Sequence, residues 1–390
     1  MQEIGKNINS LATSVALITP AYMLLMEALL GMTRNNTLVI MAVIIMACVI
    51  VAWIFSRKIL LNYTSFGIIL LFCLLYLISI PNFQRIGYSF VQFGFYVLLP
   101  SFLMSQELNY ERILRYIIIF SFPLILALDD LMGITNVGLK QADMYVVYAI
   151  VPFIVAALSH MIHYRKDSSY LIKLGYIINL YYAIRVSINA VRGFLIVIIV
   201  FLAIEIICKL KLNNSKLKYR LIFVAAFLGS LLIALNFNVC LVAFLHLLQK
   251  YVGEDWSFIT KTLILLQRGD LSNGRLKIWE DAIRCFADSP IWGHGIDGFQ
   301  LWNNYGTYPH NFILQLLTDG GILFSIAPII VVIKGMAAIL GTRYQERKRL
   351  FFGLYLVSIG MTPSLLSGDM WKSCALWMTV FFFCKMKVKD

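Results

Sequence analysis

Residues 37–56 read TLVIMAVIIMACVIVAWIFS, a continuous apolar run without a charged side chain. An α-helix needs about 20 mostly apolar residues to cross the hydrocarbon core of a bilayer. Similar runs recur along the chain, and we predict about twelve spans, at 11–31, 37–56, 61–80, 86–104, 113–129, 144–162, 170–188, 191–208, 220–238, 319–340, 350–367 and 372–384. The sequence therefore predicts an all-α, polytopic membrane helix bundle.

The composition supports this class. Of the 390 residues, 60% are hydrophobic and 14% are charged, and the mean hydropathy is +0.81. Such a chain has too much apolar surface for a soluble domain. We expect a single membrane domain, 1–390, whose first apolar stretch is an uncleaved helix.

The net charge of +13 comes mostly from basic residues in short connections on one side of the predicted bundle, such as Arg57, Arg165, Lys211 and Arg347. By the positive-inside rule this side and both termini are expected to be cytoplasmic, in the cytoplasmic (inner) membrane. Because the basic residues set topology and attract anionic lipid, the charge does not indicate a nucleic-acid partner.

The segment 238–310 departs from the apolar pattern and is expected to form a large extracytoplasmic loop. Within it, apolar residues at helical spacing predict helices lying along the membrane interface at 239–251 and 274–287. The glycine-rich stretch 291–298 fits either an ordinary surface loop or a loop that shapes a substrate site.

The chain re-enters the membrane after this loop. Thr307 is the predicted helix cap, and Pro309 is tolerated in a first turn. Gly320 and Gly321 predict a break, which would make 310–319 a short half-helix before the next full span.

Three arginines at the outer boundary are candidate anion ligands. Arg192 begins a span beside Gly193, where a guanidinium either extends to the headgroups or binds an anion. Arg185 lies seven residues earlier, beside two tyrosines, and suggests a cationic, aromatic mouth. Arg275 heads the predicted helix 274–287, where it and the free N–H groups can bind one phosphate.

His310 lies at the start of the predicted re-entering helix, and its ordinary pKa near neutrality suits proton abstraction, although capping is an alternative role. Asn311 would share the positive end of the helix dipole. Asp369, in a short outer turn, could orient His310 or bind a sugar hydroxyl, but an ion pair with Lys372 explains it equally well.

Aromatic side chains are concentrated on the same side. Trp279 and Trp292 fit an interfacial aromatic belt, and they also suit stacking on sugar rings. The five histidines and the absence of a C-x-x-C motif indicate no metal site, and we expect no cofactor.

Four motifs resemble the bacterial O-antigen polymerase and O-antigen ligase family: Arg192-Gly193, Asn273-Gly274-Arg275-Leu276-Lys277-Ile278-Trp279, Ser289-Pro290-Ile291-Trp292-Gly293-His294-Gly295 and Pro309-His310-Asn311-Phe312-Ile313-Leu314-Gln315. The resemblance implies a metal-independent membrane glycosyltransferase of the GT-C type that uses undecaprenyl diphosphate sugars. It further implies that Arg192 and Arg275 bind the diphosphate, that His310 is essential, and that Asp369 is the acidic residue of the last outer turn.

The resemblance implies that the chain polymerises lipid-linked repeat units of an O-antigen or capsule by inverting transfer. A ligase that hands polymer to lipid A-core would share the same residues, and a flippase of lipid-linked saccharides would have a similar number of spans. Transporters usually show repeats and intramembrane charges, and no repeat is evident here. The expected partners are the undecaprenyl-diphosphate-linked oligosaccharide and membrane lipid, with a chain-length regulator and a flippase as candidate protein partners.

Overall fold

The computed structural model of the protein describes residues 2–56, 60, 62–86, 89–126, 144–164, 169–188, 192–212, 274–303, 306–341 and 347–386. These ranges are helical, with turns between the helices and no strand among them. The prediction of an all-α fold is confirmed. The predicted span 220–238 and the predicted interfacial helix 239–251 lie outside the described residues.

In chain order, the helices of the described ranges are α1 (Gln2–Leu30), α2 (Arg34–Ser56), α3 (Tyr63–Ile78), α4 (Ile80–Ile86), α5 (Phe90–Ser105), α6 (Tyr110–Phe120), α7 (Met144–Tyr164), α8 (Tyr170–Ile188), α9 (Arg192–Leu212), α10 (Arg275–Asp288), α11 (Gly298–Trp302), α12 (Phe312–Gly341), α13 (Arg347–Leu356 continuing to Leu366) and α14 (Cys374–Phe383). A π-helical turn interrupts α5 at Gly94–Leu98, and another interrupts α13 at Val357–Met361.

Five of the described helices, α1, α2, α7, α12 and α13, are long and apolar enough to cross a membrane. Shorter apolar helices include α3, α5 and α14. These helices confirm a polytopic helical membrane protein. In the described part of the expected span 113–129, the α-helix α6 ends at Phe120. A 3₁₀ turn, Phe122–Leu126, follows and contains Pro123, which cannot continue an α-helical hydrogen-bond ladder.

The core is built around two close helix contacts. Along α1, small buried side chains such as Ala12, Ser14 and Ala16 face the bundle, and α1 packs along α2. Small residues let membrane helices approach closely. The last helix, α14, is buried along its length and packs against α5, α12 and α13. A Cβ at Gly360 of α13 would lie 2.4 Å from the carbonyl oxygen of Ala375, so glycine permits this contact.

The predicted break in α12 is confirmed at Gly321, which has φ 58° and ψ −166°. A break inside a span leaves backbone groups without helical partners, and these must be satisfied within the protein. The glycine-rich loop 289–297 supplies the partners. Four backbone hydrogen bonds join the two segments. In the loop, the N–H of His294 donates to Thr318 O (2.9 Å) and the N–H of Gly295 donates to Asp319 O (2.8 Å). In α12, the N–H of Ile322 donates to Pro290 O (2.8 Å) and the N–H of Leu323 donates to Ile291 O (3.2 Å).

Two glycines make this pairing possible. A Cβ at Gly293 would lie 2.4 Å from Asp319 O, and a Cβ at Gly321 would lie 2.3 Å from Ile291 O. Both residues also have positive φ. Any side chain at either position would separate the two backbones, so the glycine-rich stretch is a structural insert that fills the helix break.

The start of α12 differs from the prediction that Thr307 is its cap. The helix begins at Phe312, and Asn311 caps it by accepting hydrogen bonds from the N–H groups of Ile313 (3.0 Å) and Leu314 (3.3 Å). The cap prediction is wrong because His310 has a left-handed backbone, with φ 56°, which turns the chain before the helix can begin.

Candidate active site

The turn between α13 and α14 gathers three side chains around Ser367. Nδ1 of His310 lies 3.3 Å from the carbonyl oxygen of Ser367, and the Tyr308 hydroxyl donates to the same oxygen at 2.9 Å. Nη2 of Arg275 donates to the Ser367 hydroxyl at 3.4 Å. An imidazole and a guanidinium that are 35 positions apart in the printed sequence therefore share one small turn. We call the end of the bundle that carries this turn the site end.

The backbone at His310 is strained and held in place by its neighbours. A left-handed φ is uncommon for a residue other than glycine, although histidine tolerates it better than most. The indole N–H of Trp279 donates to Pro309 O at 3.0 Å, and the Tyr308 and His310 rings lie 4.3 Å apart. Strain of this kind persists where the surroundings fix the conformation, and it is frequent at functional sites.

The hydrogen bonds of His310 define its neutral tautomer. A carbonyl oxygen can only accept, so the proton lies on Nδ1 and is donated to Ser367 O. Nε2 then carries the lone pair, and it faces the Thr307 hydroxyl at 3.3 Å. Burial lowers the pKa of His310 below its ordinary value. The hydrogen bond to Ser367 partly opposes this effect, the charge of Arg275 lowers the pKa further, and the charge of Asp369 raises it by the smallest amount. At neutral pH the imidazole is therefore an uncharged proton acceptor.

The position of Arg275 depends on how α10 is anchored. The helix confirms the predicted segment 274–287 to within one residue at each end, and Gly274 precedes it with φ 80°. Ala282 and Cys285 on its buried face form a small apolar cluster with Phe299. This cluster packs against Leu314 of α12, so α10 is fixed to the same helix that follows His310.

Arg192 is the first residue of α9. The backbone of the next residue, Gly193, shows which part of the bundle the start of this helix contacts. A Cβ at Gly193 would lie 2.0 Å from the hydroxyl oxygen of Tyr148 in α7, so the two elements touch. Tyr148 in turn lies within electrostatic range of Arg275 and beside Ser367. The start of α9 therefore borders the Ser367 turn.

Asp369 is held by a different set of partners. Its Oδ1 accepts from Gln315 Nε2 at 2.9 Å and from the N–H of Trp371 at 3.1 Å. Its Oδ2 lies 3.2 Å from Nζ of Lys372. The ion pair with Lys372 is thus present, and the group that holds the ring of His310 is the carbonyl of Ser367.

Gln315 ties these parts together. Its amide nitrogen donates to Asp369, and its amide oxygen accepts from the N–H of Met370 at 3.0 Å. Gln315 lies in the first turn of α12, where its own N–H bonds to Asn311 O at 2.9 Å. The helix that follows His310 is thereby fastened to the turn that contains Ser367.

Two buried carboxyl groups lie behind this turn. Asp319 Oδ2 accepts from the Trp371 indole at 2.7 Å and from the N–H of Asp297 at 3.2 Å. Asp297 Oδ1 accepts from Gln300 at 3.0 Å. Burial raises the pKa of Asp297 to about 7, and the charge of Asp369 adds to the effect. Among the described residues, no three metal-binding side chains are grouped closely enough to hold a metal ion.

Four other candidate residues have defined surroundings. Arg185 lies over the ring of Tyr181 within α8, 5.9 Å from its centroid, and α8 ends before α9 begins. Trp292 is 59% exposed on the loop that fills the helix break. Asn311 caps α12, and Trp279 supports the backbone of Pro309. The structure therefore brings Arg275, Trp279, His310 and Asn311 to the Ser367 turn.

Sequence reasoning missed three residues of this site, Tyr148, Tyr308 and Ser367. The sequence offered a reason to consider Tyr308, because it lies two positions before the candidate base His310. Ser367 contributes mainly its backbone carbonyl, and because every residue has one, the residue type at this position does not indicate a role in the site. Tyr148 lies inside an apolar span, where a lone tyrosine resembles an ordinary core residue.

Comparison with known proteins adds a family resemblance. Residues 177–327 match the family model described as O-antigen ligase. This range includes Arg192, Arg275 and His310, and it ends within α12. No curated protein matches the chain. Over residues 177–327 the chain therefore resembles the O-antigen ligase family, and this match supports its membership of the O-antigen polymerase and ligase family.

Proposed function

We propose that the protein polymerises lipid-linked oligosaccharide repeat units on the extracytoplasmic face of the cytoplasmic membrane. In this reaction a saccharide moves from undecaprenyl diphosphate to a hydroxyl group of an acceptor sugar. The observation that carries the proposal is the approach of His310 and Arg275 to opposite groups of one residue, the carbonyl and the hydroxyl of Ser367.

In the proposed step, the acceptor hydroxyl donates its proton to Nε2 of His310 as its oxygen attacks the anomeric carbon. The new glycosidic C–O bond forms while the bond from the anomeric carbon to the diphosphate oxygen breaks, and the diphosphate leaves with the electron pair. Attack from the side opposite the leaving group inverts the anomeric centre. General-base catalysis of this kind contributes roughly 10²–10⁴-fold.

Arg275 is assigned to the leaving group. Negative charge grows on the diphosphate as the bond breaks, and a guanidinium already held in place stabilises it without reorganisation. A planar guanidinium can also contact two phosphate oxygens at once. Arg192 is the second candidate ligand, because the start of α9 borders the same turn through Gly193 and Tyr148.

A ligase that transfers polymer to lipid A-core is the second candidate, since the matched family model carries the ligase description. The same base and the same leaving-group ligand would serve it.

The test uses purified protein in detergent with a lipid-linked repeat unit and, in a second reaction, with polymer donor and lipid A-core. Longer lipid-linked chains in the first reaction support the polymerase. Product in the second reaction alone shows a ligase, and transfer in neither, with movement of lipid-linked saccharide across vesicles, shows a transporter. In cells, loss of a polymerase leaves single repeat units attached, whereas loss of a ligase leaves polymer on the carrier lipid.

A further inference from the structure

An apolar cavity of about 700 Å³ lies between α2 and α5. We call it the α2/α5 groove. Its walls are aliphatic and aromatic, and they include Met46, Ile50, Trp53, Phe90, Gly94 and Phe102. Several of these side chains are exposed at the surface of the protein, among them Met46, Trp53 and Phe90. Within the part of the chain that the structure describes, the groove is therefore open at the protein surface, where lipid would reach it.

The groove follows from how its two walls pack. α2 packs along α1, and α5 packs against α14 and α3, so the two helices are held by different neighbours. The π-helical turn of α5 begins at Gly94, which lines the groove, and a Cβ at Gly94 would have no atom within 4 Å. Turns of this type are frequent at functional sites.

The shape of the groove suits one long hydrocarbon chain. Along α5 it runs from Phe90 to Phe102, and at 1.5 Å per residue this is about 18 Å. The hydrocarbon core of a bilayer is about 30 Å thick. A flexible isoprenoid chain entering from the lipid could therefore lie along more than half of the membrane depth within the groove.

The groove is continuous with the site end of the bundle. The π-helical turn that lines it packs against the Met370–Lys372 turn, which follows Asp369. Phe95 lines the groove, and its neighbour Tyr96 is buried within electrostatic range of Asp369 and Arg34. A chain in the groove would thus have its head near two ion pairs, Lys372 with Asp369 (3.2 Å) and Arg34 with Glu27 (2.8 Å).

The groove lies away from the elements that carry the proposed donor ligands. Arg275 is on α10, which packs against α12, and Arg192 starts α9, which packs against α7 and α13. α2 and α5 pack instead against α1, α3 and α14. A diphosphate bound at Arg275 and a lipid chain in the groove would therefore approach His310 from different flanks of the bundle.

We infer that the α2/α5 groove binds the polyprenyl chain of the acceptor, the lipid-linked saccharide whose hydroxyl group attacks. This inference rests on the proposed polymerase function. It assigns the two lipid-linked substrates to separate flanks, with the donor diphosphate at Arg275 and the acceptor chain beside Gly94.

Gly94→Leu is the test variant, because a Cβ at Gly94 would have no atom within 4 Å and a larger side chain can therefore start into the groove. Gly67→Leu is the matched control, since Gly67 is an exposed glycine of α3 whose Cβ position is equally open. Met46→Trp is a second groove variant. Each protein is purified and checked for an unchanged melting temperature.

The assay separates the two substrates. The donor carries a blocked acceptor hydroxyl, and the acceptor carries a phosphonate in place of the cleavable diphosphate link, with either a full-length polyprenyl chain or a two-isoprene chain. We expect Gly94→Leu and Met46→Trp to raise KM for the long-chain acceptor at least about tenfold, the effect of losing about two buried methylene groups. KM for the short acceptor and for the donor should match wild type, as should all values for Gly67→Leu.

Other outcomes overturn the inference. A raised KM for the donor instead of the acceptor would show that the groove holds the donor chain. Wild-type KM values for both substrates in both groove variants would show that only bulk membrane lipid occupies it. If wild-type protein forms no product from these substrates, the proposed polymerase function fails, which is distinct from a wild-type reaction that ignores the groove substitutions.

Discussion

The carbonyl oxygen of Ser367 accepts the Nδ1 proton of His310 at 3.3 Å, and this contact leaves Nε2 as the basic nitrogen. In many proteins a carboxylate orients a catalytic histidine, and this was one of the roles that the sequence left open for Asp369. A backbone carbonyl fixes the tautomer without adding a negative charge, so it raises the basicity of the ring less. The site is therefore suited to accepting a proton from the acceptor sugar at neutral pH.

His310→Ala should lower the rate of chain elongation roughly 10²–10⁴-fold, because it removes the only proton acceptor assigned to the acceptor hydroxyl. Single-turnover assays of purified protein measure the change. The amount of protein in the membrane and its melting temperature serve as controls, and both should stay close to wild type. A variant that elongates at the wild-type rate would remove His310 from the mechanism.

Arg275→Lys should also abolish most activity, although it keeps the positive charge. A lysine ammonium cannot contact two phosphate oxygens in the planar manner of a guanidinium. Arg284→Lys is the matched control, because Arg284 lies on the same helix, is 64% exposed and pairs with Glu280. Equal activity of the two variants in the elongation assay would show that Arg275 contributes charge alone or nothing.

The pH dependence of kcat/KM should have an acid limb from His310. Only the neutral ring can accept a proton, and burial lowers its pKa below 6.5, so activity should fall as pH drops through a midpoint below 6.5. A rate profile between pH 4.5 and 8 measures the midpoint. The limb should be absent from the residual activity of His310→Ala, and a midpoint well above 6.5 would contradict the assignment.

Asp297→Asn should stabilise the protein more at pH 8 than at pH 5. The pKa of Asp297 is raised in the folded state, so folding favours the protonated form, and stability is lost as pH rises from about 4 to about 7. An asparagine cannot ionise and avoids this loss. Melting temperatures at the two pH values test the sign, with Asp288→Asn at an exposed aspartate as control. A larger gain at pH 5 would contradict the raised pKa.

Gly321→Ala should destabilise the protein far more than Gly31→Ala. Both glycines have a positive φ, which costs an alanine about 1–2 kcal/mol, and Gly321 combines it with ψ −166°, a region occupied almost only by glycine. Gly31 has open space at its Cβ, whereas a Cβ at Gly321 would lie 2.3 Å from the backbone oxygen of Ile291. The thermal stability of detergent-solubilised protein compares the two. Similar losses would mean that the loop 289–297 does not fill the helix break tightly.

Long apolar helices such as α2 and the break in α12 could be predicted from sequence because each depends on local properties. A run such as 37–56 has too few polar groups to lie in water, and two adjacent glycines near position 320 weaken a helix wherever it lies. The helix of Arg275 was likewise visible from its apolar spacing. These features need no knowledge of distant neighbours.

The assembly of the site could not be predicted in the same way. The pairing of loop 289–297 with the broken helix and the contact of His310 with Ser367 both use backbone groups, which are identical at every position. The cap of α12 was misplaced at Thr307 for a related reason. Nothing in the sequence around His310 reveals that its backbone is left-handed, and that turn is what moves the cap to Asn311.

The central claim is that His310 and Arg275 act together on one transition state, and a double-mutant cycle tests it most directly. Single-turnover rates of elongation are measured for wild type, His310→Ala, Arg275→Lys and the double variant. Groups that act as a unit are not additive, so the double variant should be only slightly slower than the slower single variant. A double variant whose loss equals the product of the two single losses would contradict the account, because the two side chains would then act independently.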